Sequence, residues 1–118
     1  MADKEAKRAL DVEAVTKAIA AMDEPDKTIG QKLHKIITTT APNLMPRTWY
    51  GMPAYSNGDK IICFFRGRQK FGERFMTLGF NDSAKLDDGL MWPIYFAIAD
   101  LSKVEEDKIT DLIAKAVS

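Results

Sequence analysis

The sequence predicts an α+β two-layer fold: a mainly antiparallel β-sheet of about four to five strands, packed by two N-terminal helices and one C-terminal helix. Three observations carry this expectation. Apolar residues recur at helical spacing before residue 41 and again after residue 102. Between Pro42 and Leu90 the pattern changes to short extended runs, and Asn57-Gly58 inside that stretch is a two-residue hairpin signal.

Each element follows from its residues. Val12, Val15, Ile19 and Met22 recur at three- and four-residue steps among alanines, which predicts a helix over 5–22. Asp23-Glu24-Pro25 interrupts it, because proline disfavours helix at the preceding residue and starts a new one well. A second helix is expected over 26–40, with Ile29, Leu33, Ile36 and Ile37 on one face. Trp49-Tyr50 and Pro53–Ser56 read as extended segments, and Asn57-Gly58 turns the chain into a strand over Lys60–Arg66. The unbroken Ile61–Phe65 run implies burial on both faces. Gly67–Gly72 reads as a loop, Arg74–Phe80 as a strand with Met76, Leu78 and Phe80 on one side, and Pro93–Ala99 as the last strand. Ser102 and Glu105 are spaced as a capping box, opening a helix whose stripe is Ile109, Leu112, Ile113 and Ala116. With helices on one side of the sheet, its other face is left for a ligand or partner.

A chain of 118 residues, 46% hydrophobic and 29% charged, fits a single globular domain spanning 1–118. The 17 Lys and Arg balance the 17 Asp and Glu, which argues against a general nucleic-acid binder. The same balance leaves little repulsion between copies, so a homodimer is compatible with it. Cys63 is the only cysteine and excludes an internal disulfide. The first ten residues are charged, unlike a secretory signal, and no run approaches the ~20 apolar residues of a membrane span. A cytoplasmic location, with no membrane contact, is the expectation.

Little catalytic chemistry is offered. His34 is the only histidine, so a two-histidine relay is impossible, and it adjoins an apolar helical stripe. Cys63 lies within the most apolar run, where a thiol behaves as a small hydrophobe. Gly67 and Gly72 have P-loop spacing, but Glu73-Arg74 stand where that loop needs Lys and then Ser or Thr. No catalytic residue is assigned. Arg66, Arg68, Lys70 and Arg74 are interleaved with Phe65, Phe71 and Phe75; Arg66, Arg68 and Arg74 are the candidate anion-binding residues. Asp82, Asp87 and Asp88 are the candidate metal ligands, since hard cations take such oxygens, although their spacing is not that of an EF-hand. Trp49, Tyr50, Met52, Tyr55 and Trp92 sit beside Pro and Gly at strand ends, and are the candidate ligand- or partner-binding groove.

"WYGMPAY" (Trp49–Tyr55), "NGDKIICFF", "FMTLGF" (Phe75–Phe80) and "KITDLIAKAV" together resemble the YdhG-like family, also known as domain of unknown function 1801. "KFGERFMTLGFND", "LDDG" and "MWP" are similar to an actinobacterial subgroup of it. The resemblance spans about residues 25–117 and implies an antiparallel sheet flanked by helices. It also implies iron as a candidate cofactor, because some members are described as frataxin-like iron chaperones; no iron ligand carries over position by position.

The leading expectation is a non-enzymatic domain that binds an unidentified small molecule or protein through the aromatic groove. Its rivals are a metallochaperone holding iron on Asp82, Asp87 and Asp88, and an enzyme acting on a small anion held by Arg66, Arg68 or Arg74.

Overall fold

Met76, Leu78 and Phe80 are each fully buried, so one face of their strand meets an apolar layer. That layer is helical. In the computed structural model, which describes residues 2–118 and side chains from Ala6 onward, α1 spans Ala2–Ala20, α2 Asp26–Thr40 and α3 Lys103–Ala116. The strands are β1 Met45–Trp49, β2 Met52–Asn57, β3 Lys60–Arg66, β4 Met76–Phe80 and β5 Tyr95–Ile98. They form one sheet in the order β1-β2-β3-β4-β5, antiparallel throughout. The fold is therefore the expected α+β two-layer arrangement, with five strands as an uninterrupted meander.

The core lies between sheet and helices. Val15 and Ile19 from α1, Ile29, Leu33 and Ile37 from α2, and Ile109, Ile113 and Ala116 from α3 pack against Tyr55, Cys63, Phe65, Met76, Leu78, Phe80 and Ile98. Gly30 lets α2 approach closely, because a Cβ there would stand 3.1 Å from Ile19 and 3.3 Å from Phe65. A smaller cluster of Met52, Ala54, Ile61 and Phe64, with Trp49 against it, occupies the opposite face. Ile61–Phe65 is thus divided between two faces, as its continuous apolar character requires.

The first helix ends at Ala20, two residues earlier than expected, and two turns also depart from expectation. The hairpin between β2 and β3 pairs Asn57 with Lys60, so its two-residue loop is Gly58-Asp59, one position later than the Asn57-Gly58 signal. Gly58 alone takes the positive φ (63°). A register shift between Tyr55 and Ser56 makes Tyr55 oppose Cys63 while Ser56 opposes Ile61, and that bulge moves the turn. The second departure is a further hairpin at Tyr50-Gly51, flanked by the Trp49–Met52 pair, with φ of 51° and 76°. Two successive positive φ values are those of a type I′ turn, which a sequence normally signals with Asn or Gly first. Tyrosine in that place hid it.

At the C-terminal helix the expectation holds closely. Glu105 Oε1 accepts from the Ser102 backbone N–H at 2.8 Å and from its hydroxyl at 2.5 Å, and the Ser102 side chain faces the Glu105 backbone N–H in return, the expected capping box at the start of α3. No helix among the described residues is long and apolar enough to cross a membrane.

Candidate functional site

The helix-free face of the sheet reads across the strands by register. Arg47, Ala54, Phe64, Gly79 and Tyr95 are successive partners from β1 to β5, so they form one transverse row on the same face. The far end of the Phe64 ring covers Gly79: a Cβ on Gly79 would stand 2.4 Å from Phe64 Cζ. That seat carries Phe64 to within 6.0 Å of the Tyr95 centroid in a T-shaped pair, while Trp49 meets its other side at 5.3 Å. Tyr50 continues the chain at 5.1 Å from Trp49 and is 80% exposed. The aromatics of this face are therefore Tyr50, Trp49, Phe64 and Tyr95.

Tyr55 is a correction to the expected groove. It is fully buried on the helical side, because Ala54 and Met52 take the open face and alternation sends Tyr55 inward. Its hydroxyl lies 2.7 Å from His34 Nδ1. Burial pushes the Tyr55 hydroxyl well above its ordinary range and lowers the His34 pKa, so a neutral phenol meets a neutral imidazole, and the ring's tautomer sets which of the two donates. Trp92 is also separate from Trp49. It packs against the main core from the connection between β4 and β5, and lines a cleft with Asn81, Asp82, Leu90, Met91 and Ile94. Trp49, Tyr50 and Met52 stay together; Tyr55 and Trp92 do not join them.

The three arginines likewise go separate ways. Arg68 is bound internally. Its backbone N–H and its Nε each donate to the fully buried carboxylate of Asp26 at 2.7 Å. The same guanidinium reaches the Arg74 carbonyl at 3.2 Å and the Ala99 carbonyl at 3.1 Å. Arg74 lies with its guanidinium 5.5 Å from the Phe75 centroid and is exposed. Arg66 faces Glu73 through Nε–Oε1 at 3.2 Å and Nη2–Oε2 at 3.3 Å, and sits 4.7 Å from the Phe71 centroid. Neither Arg66 Nε nor Glu73 Oε1 makes a well-aligned hydrogen bond, although both atoms are buried.

Arg66 does line a cleft. The cleft occupies about 250 Å³ at the end of the sheet, between the end of α1 (Ala18) with the residues just after it (Met22), the turn Gly51-Met52-Pro53, and the loop Gly67–Lys70. Lys70 Nζ donates to the Tyr50 carbonyl at 2.7 Å and so clasps the turn from the loop side. An ammonium has three donors, so this bond leaves Lys70 with donors to spare. Gly51 is required beneath it, since its φ is 76° and a Cβ would stand 3.2 Å from Lys70 Nζ. Met22, Asp23, Gln69 and Gly67 belong to this cleft and were not among the expected site residues. Only Lys70, within the basic run, signalled the loop's part in it.

Asp82, Asp87 and Asp88 are all exposed. Their loop is held by other atoms: Ser83 Oγ donates to the Ile61 carbonyl, and Ala84 and Leu86 are buried in the core. Among the described residues no group of three or more His, Cys, Asp or Glu side chains is placed to hold a metal ion. Cys63 is fully buried, and burial pushes its thiol up to about 12.

Comparison of the chain with protein-family models, curated proteins and solved structures finds no match.

Proposed function

We propose that the protein is a small, non-enzymatic binding domain whose ligand is a small molecule carrying an anionic group. The ligand sits in the cleft between the Tyr50–Pro53 turn and the Arg66–Lys70 loop, its anion toward Arg66 and Lys70 and its apolar part against Met22, Met52 and Pro53. One observation carries the reading: the cleft places two cations against the turn of the Tyr-Gly-Met-Pro motif. Two further features support it. Tyr50 holds a positive φ that ordinary side chains avoid, and such strain gathers at ligand sites. Arg66 turns Nε and Nη2 to Glu73, and its Nη1 makes no hydrogen bond among the described residues. The motif at the cleft is also the one on which the resemblance to YdhG-like proteins rests.

The test is a titration followed by backbone amide NMR, using inorganic phosphate, acetate and benzoate as probes. Saturable shifts at Gly51, Gly67 and Lys70, larger for benzoate than for acetate and lost in Lys70→Ala, are the expected result. Shifts absent from all three residues, or unchanged in Lys70→Ala, sink the proposal.

A further inference from the structure

The two edges of the sheet are treated differently. β1 carries Pro46 and Arg47, and α1 packs against it, so that edge is guarded. β5 has the sequence Tyr95-Phe96-Ala97-Ile98, with no charge and no proline inside it. Phe80 N–H donates to the Ile94 carbonyl at 2.8 Å, which makes Phe80–Ile94 a hydrogen-bonded pair. By the alternation of antiparallel ladders, Leu78–Phe96 and Met76–Ile98 are the next bonded pairs. The N–H and C=O of Tyr95 and Ala97 therefore point away from β4, and neither residue makes a backbone bond outside the ladder or accepts from a side chain among the described residues. Beside this edge runs a groove of about 570 Å³, walled by Leu78, Phe96, Ile98, Leu101, Ile109 and Leu112.

We propose that a second copy of this chain covers that edge, pairing β5 with β5 about a two-fold axis at Phe96. The occupant must supply a strand, because the unpaired groups are a strand's. The register is self-complementary: with Phe96 opposite its own copy, Tyr95 and Ala97 of one chain exchange bonds with Ala97 and Tyr95 of the other. A bulky residue then faces a small one at both positions on the open face. On the helical face the two grooves close on each other around the paired Phe96 rings. Charge agrees with a second copy. Glu105 and Lys108 stand three residues apart on the groove's helical wall, so antiparallel apposition of α3 with its copy sets opposite signs across the seam. The chain's balanced charge, 17 cationic against 17 acidic side chains, adds no net repulsion.

Sedimentation equilibrium of the full chain, from low micromolar to submillimolar concentration, tests this together with Ala97→Pro. Proline at an edge position whose N–H faces outward removes no bond within the chain. The wild type is expected to dimerise and Ala97→Pro to raise the Kd at least about tenfold with its circular dichroism unchanged. Should that variant not fold, amide hydrogen exchange on the wild type decides, with concentration-dependent protection expected at Tyr95 and Ala97. A monomer at every concentration, a dimer that survives Ala97→Pro, or unprotected Tyr95 and Ala97 amides would each overturn the proposal.

Discussion

Asp26 and Arg68 are joined by two hydrogen bonds of 2.7 Å each, one from the arginine's backbone and one from its side chain. The carboxylate is fully buried and the guanidinium side chain keeps 20% of its exposure. Arg68 also holds the carbonyls of Arg74 and Ala99, so one side chain ties the start of α2 to the loop after β3, the approach to β4 and the exit of β5. The anion that Arg68 binds is the protein's own.

Removing one member of such a pair leaves an uncompensated charge in the interior. Asp26→Ala is expected to destabilise the fold by about 3–5 kcal/mol, measured by urea unfolding. Asp26→Ala combined with Arg68→Met should cost less than the sum of the two single changes, because no charge is then stranded. Additive losses would contradict the pairing.

Phe64 and Gly79 make a second coupled pair, through space rather than through charge. A Cβ 2.4 Å from the ring forces Phe64 off its seat and away from Tyr95. Gly79→Ala should lose about 1–3 kcal/mol of stability. In a Phe64→Leu background the same change should lose markedly less, as read from the double-mutant cycle.

His34 gives the stability a pH dependence of defined sign. Burial lowers its pKa from the ordinary 6.5, so the unfolded chain takes up the proton first. Its contribution is fully present above 6.5 and is lost as pH falls from there through the lowered folded value. Protonation makes both ring nitrogens donors, so the Tyr55 oxygen can then only accept from Nδ1 and its own proton needs another acceptor. Thermal melting between pH 7 and about pH 5 should show the decline. His34→Gln, which retains an acceptor but does not titrate, should flatten that part of the profile.

Cys63 should be inert while the protein is folded. With its thiol pushed up to about 12, the thiolate fraction at pH 8 is on the order of one in ten thousand, and the sulfur is fully buried. A disulfide reagent at pH 8 should label it only at the rate of unfolding. Rapid labelling of the native protein would show that the β3 core is open.

Much of the architecture was legible because local chemistry agrees with it. Pro25 and the Ser102–Glu105 spacing mark helix starts that α2 and α3 use, and alternation along Met76–Phe80 correctly assigns the buried face. The site was less legible, for reasons that are also physical. A bulge after Tyr55 and a tyrosine at positive φ alter register and turns without any composition signal. Arg68 reads in sequence as a candidate anion-binding residue and Asp26 only as the start of a helix; their meeting across the fold is what makes them partners. Tyr55 shared a motif with Trp49 yet faces the other side of the sheet, as adjacent residues of a strand must.

The meander has a kinetic consequence. Every strand's neighbour in space is also its neighbour in sequence, so the sheet can zip hairpin by hairpin, with residues 81–94 the longest connection to close. The Asp26–Arg68 contact joins residues 42 positions apart and is satisfied only once α2 has docked on the finished sheet. Asp26→Ala is therefore expected to speed unfolding more than it slows folding, read from the two arms of a chevron plot, so that the pair governs how long the native state lasts more than how quickly it is reached.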